Sequence, residues 1–161
     1  MSGSERFDPD RYDWEAWRPE QAQRALAQVD VPWYIAAGWA IELFLGGQRR
    51  EHEDLEIAVP SARFREVVAA LAGLDLFVIG PALAVPLGQA GALLETYHQT
   101  WALDPAHRVW RLDIFREPSD GDIWICRRDE SIRLPYDELI EWTSDGIPYG
   151  RPDVVLGQLS R

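Results

Sequence analysis

The chain has 161 residues, 47% of them apolar and eight of them Trp, enough for one compact domain or one and a half with a real core. Its 27 acids against 16 bases give a formal charge of -11, and every base is Arg, because no Lys occurs. Such a field disfavours nucleic acid and anionic membrane as partners, favours cationic small molecules, and would require a metal to bridge any bound nucleotide.

The N-terminus, "MSGSERFDPD", has no apolar core of the kind a signal peptide needs, so a cytoplasmic protein is expected. Residues 1–17 read as an N-terminal extension pinned by Phe7, Tyr12, Trp14 and Trp17. Pro19 then opens a helix with Ala22, Ala25, Leu26 and Val29 on one face, stopped near Asp30 and Pro32. A strand is predicted over 33–36, "WYIA". After Ala37 and Gly38 a second helix runs from Trp39 to Leu45, with Gly46 and Gly47 as its stop.

The next strand is predicted over 54–59, followed by Pro60 and a helix that buries Phe64, Val67, Val68 and Leu71. Further strands are expected at 76–79, 109–115 and 123–126. Residues 80–100 are ambiguous, with "ALLETYHQ" compatible with a short helix or a loop. Glycines and prolines interrupt the uncharged run from Leu76 to Leu94, which argues against a membrane span. Beyond 126, "LPYDELIEWTSDG" and "RPDVVLGQLSR" both read as helices. The sum is an α+β fold: a small mixed sheet with flanking helices over 18–126 and a short helical C-terminal portion over 127–161.

The chemistry begins in "HEDLEIAV", residues 52–59. Leu55, Ile57 and Val59 form an apolar face, which leaves Asp54 and Glu56 together on the other, their Cα atoms about 7 Å apart. Two carboxylates so placed can hold one hard cation such as Mg²⁺, or can simply be a solvated strand face. In "VWRLDIF", residues 109–115, Asp113 stands inside a strand built for burial. A metal or paired acid would explain it, and so would a salt bridge to Arg111 or Arg116. Gly38, between strand and helix, lets backbone amides approach a phosphate, although an ordinary turn would use it equally well. The single cysteine, Cys126, excludes an internal disulfide and reads as a core thiol. His98 and His107 are too isolated for a zinc site, and Trp39 and Trp101 are core or cleft wall.

Taken together, "WYIAAGWAIELFLGGQRREHEDLEIAV" resembles the Gly-Gly-Trp-Ala, Arg-x-His-x-Asp and Asp-x-Asp/Glu pattern of the nucleotidyltransferase superfamily, and more narrowly of aminoglycoside 2''-O-adenylyltransferase-like proteins. "HQTW", "WRLDIF", "GDIWICRRD" and "DGIPYGRPDVVL" extend the resemblance over about residues 20–156. It implies that Asp54 and Glu56 hold Mg²⁺, and that Asp113 is a third ligand or the general base. Gly38 and Trp39 would begin the triphosphate-binding turn, and Arg50 and His52 would fill the Arg-x-His-x-Asp element, His52 orienting the loop or a carboxylate. The implied co-substrate is a nucleoside triphosphate, with ATP expected, and the implied partner is a small cationic acceptor carrying a hydroxyl. A biosynthetic acceptor outside the antibiotics fits the motifs equally. An impaired relative that binds a nucleotide or a protein is the competing class, and a toxin acting on nucleic acid is disfavoured by charge.

Three departures from the family pattern stand out. Ala37 occupies a usual Gly position and is expected to be strained if φ is positive there. Glu42 stands where some relatives carry Asp. The terminal "GQLSR" lacks the Lys of the relatives' next helix, so triphosphate or acceptor binding is expected to be weakened, supplied by Arg, or lost.

Overall fold

The structure is a computed structural model describing residues 6–154. Its frame is a nine-strand mixed sheet, helical on one face and covered on the other by a three-strand sheet. In chain order the elements start with β1 (Asp13–Trp14), α1 (Pro19–Leu26), β2 (Tyr34–Ile35), α2 (Ala37–Phe44), β3 (Glu56–Pro60) and α3 (Phe64–Ala70). Next come β4 (Asp75–Gly80), β5 (Leu83–Pro86), α4 (Leu93–Thr96), β6 (Gln99–Asp104) and β7 (Val109–Glu117). The chain then forms β8 (Ser119–Asp120), β9 (Ile123–Ile125), β10 (Arg133–Pro135), α5 (Tyr136–Leu139), β11 (Ile140–Trp142) and β12 (Pro148–Gly150).

The large sheet runs β11-β12-β2-β3-β7-β6-β4-β5, and the small one β10-β9-β8. Strand β7 is the spine. It pairs in parallel with β3 from Asp113 to Glu117 and, before β3 begins, in parallel with β1 through Val109 and Trp110. On its other side β6 runs antiparallel, with an irregularity between Ala102 and Leu103.

Alternation along β3 and β7 sorts the two faces of the sheet. Leu55, Ile57, Val59, Leu112 and Ile114 point to the core under α1 and α3, with Ala22, Leu26, Phe64 and Val67. Ala58 and Phe115 point the other way, towards Tyr34, Trp124, Cys126 and Leu139. The N-terminal extension is tied down as its aromatic content predicts. Phe7 bridges Ala84, and Phe7, Tyr12 and Trp14 pack around the fully buried Trp110.

Two expectations are corrected. The ambiguous stretch 80–100 holds strand β5 and the start of β6, besides the single turn α4. Within 127–154 only Tyr136–Leu139 forms a described helix of a full turn. "IEW" and "PYG" instead become β11 and β12 and extend the large sheet past β2. A one-turn apolar spacing satisfies both readings locally, and the open edge of β2 decides between them. Helical backbone begins again at Pro152, and the remainder of that expected helix lies outside the described residues. Among the described residues no helix is long and apolar enough to cross a membrane.

Candidate active site

The small sheet does not close fully onto the large one, and a cleft of about 520 Å³ lies between them. Gly38, Arg50, Glu56, Phe115, Glu117 and Trp124 are among its lining residues.

Parallel pairing places Glu56 directly beside Asp113, so two acids share one face of adjacent strands. Asp113 is 2% exposed. Its Oδ2 accepts a hydrogen bond from Gln99 Nε2 at 3.0 Å, while Oδ1 is buried without a partner among the described residues. Burial first, then the charges of Glu56 and Asp54, push the Asp113 carboxyl well above the ordinary range, and the Gln99 amide opposes the shift only partly. Glu56 is raised to about 7, chiefly by burial and secondly by Asp54.

The salt-bridge explanation for Asp113 is removed by the structure. Arg111 pairs with Asp104 at 3.0 Å and Glu15 at 3.2 Å. Arg116, on the opposite face of β7, donates to Thr100 Oγ1 and to the carbonyls of Leu94 and Tyr97. The cost of burying Asp113 is thus met neither by Arg111 nor by Arg116.

Asp54 departs from expectation. Strand β3 begins at Glu56, and Asp54 sits exposed in the loop before it, not on the strand face. Among the described residues no three His, Cys, Asp or Glu side chains close into a metal-binding group. The structure therefore assembles the pair Glu56 and Asp113 and leaves Asp54 at its border. This donor set fits a hard cation all the same. It is carboxylate oxygen throughout, burial disfavours its charged form, and one buried oxygen has no partner among the described residues.

The turn and the loop before β3 interlock. Gly38 lines the cleft, but a Cβ there would meet Arg50 Nη2 at 2.7 Å and His52 Cε1 at 3.0 Å. The glycine therefore admits two side chains of its own protein. Ala37 has φ of 55°, the left-handed conformation anticipated for that position. His52 does not line the cleft. Its Nε2 lies 3.1 Å from Glu42 Oε1, and Glu42 Oε2 accepts the Arg49 backbone N–H at 2.7 Å. Trp39 is in the helix-side core and not in the cleft wall, its ring 4.6 Å from that of His52 and under the Arg18 guanidinium. Glu42, a departure of unassigned role in the sequence, is thus the anchor of the 49–52 loop.

Several cleft residues have no role assigned from the sequence, although some fall in the stretches "WRLDIF" and "GDIWICRRD". Arg127 and Arg128 line the cleft with Arg50, and the Arg127 guanidinium lies 5.2 Å over the Phe115 ring. Tyr34, Glu117 and Trp124 line its far part. The available signal was parity: Asp113, Phe115 and Glu117 fall on one strand face. His98 and His107 stand outside the acid pair, His107 bonded to Asp104 at 2.9 Å and His98 near Phe115.

Comparison with known proteins adds two findings. Residues 20–78 match the family model for aminoglycoside-2''-adenylyltransferase. The fold is similar to that of the lincosamide antibiotic adenylyltransferase LnuA in its lincomycin-bound crystal structure. The TM-score is 0.56 at 16% identity, over 85% of this chain and 80% of that one. No curated protein sequence matches. The resemblance read from the motifs is thereby matched over residues 20–78, and a fold similar to that of LnuA extends over most of the chain.

Proposed function

We propose that the chain is a nucleotidyltransferase that moves a nucleoside monophosphate, AMP from ATP by preference, onto a hydroxyl of a small, amine-bearing acceptor of the antibiotic type. The observation that carries this reading is the pair of part-buried Glu56 and buried Asp113, side by side on adjacent strands, with an Asp113 oxygen unpartnered among the described residues and Glu56 lining a cleft that also holds Arg50, Arg127 and Arg128. Carboxylates beside guanidinium groups are the surroundings that phosphoryl chemistry uses.

In this reading Asp54, Glu56 and Asp113 would hold Mg²⁺, which when bound supplies charge neutralisation at the phosphates. The arginines and the amide end of α2 at Gly38 orient the triphosphate. Asp113, once ionised, accepts the proton of the acceptor hydroxyl as that oxygen bonds to the α-phosphorus. The bond from the α-phosphorus to the bridging oxygen breaks, and pyrophosphate leaves. Glu42 and His52 take no proton here. They position the loop that carries Arg50 and Asp54.

The test is pyrophosphate release from each nucleoside triphosphate with Mg²⁺, against aminoglycosides, lincosamides and other hydroxylated amines. Acceptor-dependent release that falls at least about a hundredfold in Asp54→Asn and Asp113→Asn supports the reading. Release that survives in Asp113→Asn, or that never depends on an acceptor, overturns it.

A further inference from the structure

The cleft face of β7 presents Asp113, Phe115 and Glu117 in succession, and four strand residues place the two acids about 13 Å apart at Cα. Tyr34 pairs across the sheet with Ala58, and Ala58 with Phe115, so a methyl group separates two rings at that level. At the end of this face stands Glu117, 6% exposed and part of the cleft lining.

Tyr34 Oη donates to both of its oxygens, at 2.8 and 3.0 Å. Trp124 Nε1 and Tyr136 Oη lie beside the same carboxyl, outside hydrogen-bond geometry, and both are buried without a partner among the described residues. A carboxylate has lone pairs beyond those Tyr34 uses. Among the described residues no guanidinium or imidazole forms an ion pair with Glu117, unlike Glu42, Asp104 and Asp153.

We infer that Glu117 is the amine-recognising residue of the acceptor site, receiving an ammonium group of an amino sugar or similar polyamine whose reactive hydroxyl lies by Asp113. This deepens the proposed function and rests on it for the position of the hydroxyl. The spacing selects acceptors with an amine about 13 Å along β7 from the reacting end, the reach of a molecule of two or more rings. The charge of -11 draws such cations to the cleft. The electrostatics agree. Burial holds the Glu117 carboxyl up at about 8, with Tyr34, Trp124 and Tyr136 pulling it down and Glu56 adding to the rise. An arriving ammonium favours the ionised form, so binding at neutral pH releases a proton.

The experiment titrates the full chain calorimetrically at pH 7 with neamine and with its fully N-acetylated form, in two buffers of different protonation enthalpy. Expected are neamine binding roughly tenfold or more tighter than the acetylated form, and proton release on neamine binding alone. In Glu117→Gln, which keeps an acceptor for Tyr34, affinity for neamine falls by roughly tenfold and proton release vanishes, while ATP affinity is unchanged. Equal binding of the two probes by the natural chain overturns the inference, even if the variant fails to fold. Unaltered affinity and proton release in Glu117→Gln also overturn it. Pyrophosphate release is read separately. Transfer to an uncharged acceptor with no amine preference would leave the transferase reading standing and this one refuted, whereas Glu117-dependent amine binding without any transfer would do the reverse.

Discussion

Ala37 holds φ of 55° at the point where β2 turns into α2. A side chain in this region costs about 1–2 kcal/mol against glycine, and glycine's greater freedom in the unfolded chain returns about half of that. Ala37→Gly is therefore expected to stabilise the protein by about 0.5 kcal/mol, and Ala37→Val to destabilise it by more than about 1 kcal/mol, as thermal denaturation would register. Its neighbour is constrained by contact instead of conformation. Gly38 is a glycine because Arg50 and His52 already occupy the space of a side chain. Asp113 is constrained by what its sequence neighbours do elsewhere, since Arg111 and Arg116 both spend their donors on other partners.

At the scale of elements, the loop from Gln48 to Leu55 has no regular structure, yet it carries Arg50 to the cleft and Asp54 to the edge of β3. What orders it is α2. Glu42 bonds the Arg49 N–H and His52, and Trp39, one turn earlier, packs against the His52 ring at a tilt of 33°. Glu42→Ala removes both hydrogen bonds at once. The expected result is a melting temperature lower by several degrees and a kcat lower by roughly ten- to a hundredfold, with nucleotide KM raised, because Arg50 loses its position. Glu42→Gln retains acceptors for both bonds and should recover most of the loss. That split separates positioning from direct participation. Strand β7 shows the complementary logic: Leu112 and Ile114 build the helix-side core, while Phe115 and Glu117, on the other face, line the cleft.

At the scale of the molecule, two predictions follow from how the layers close. Phe7, Tyr12 and Trp14 cover Trp110 and Phe77, with ring centroids 5.0 Å apart for Phe7 and Phe77. A chain lacking residues 1–17 should lose on the order of 5 kcal/mol of stability and bind a hydrophobic dye, measured by urea denaturation and fluorescence. Closure over the cleft also buries acids. The Glu117 carboxyl is raised from 4.5 to about 8, so between those values the folded chain holds a proton that the unfolded chain has released. Stability from this group is therefore greatest below about pH 4.5 and is lost as pH rises through about 8. The difference in unfolding free energy between the natural chain and Glu117→Gln, measured by urea denaturation from pH 5 to 8, should shift steadily in favour of the variant, by on the order of a few kcal/mol across the window.

Much of this protein was determined by its local sequence. Periods of two and of 3.6 located β3, β7, α1, α2 and α3, because each buries one face and polar residues mark the other. Alternation in the two strands pointed to Glu56 and Asp113, which the sheet does bring side by side, whereas Asp54, read as part of the same strand face, lies in the loop before β3. The tertiary structure alone decided the rest. It chose strand over helix for "IEW" and "PYG", because the free edge of β2 offered hydrogen bonds that no local period encodes. It seated Trp39 and His52 behind the site and brought Arg127, Tyr34, Trp124 and Glu117 to its walls. Tyr34 and Glu117 lie 83 positions apart, and only the register of neighbouring strands makes them meet.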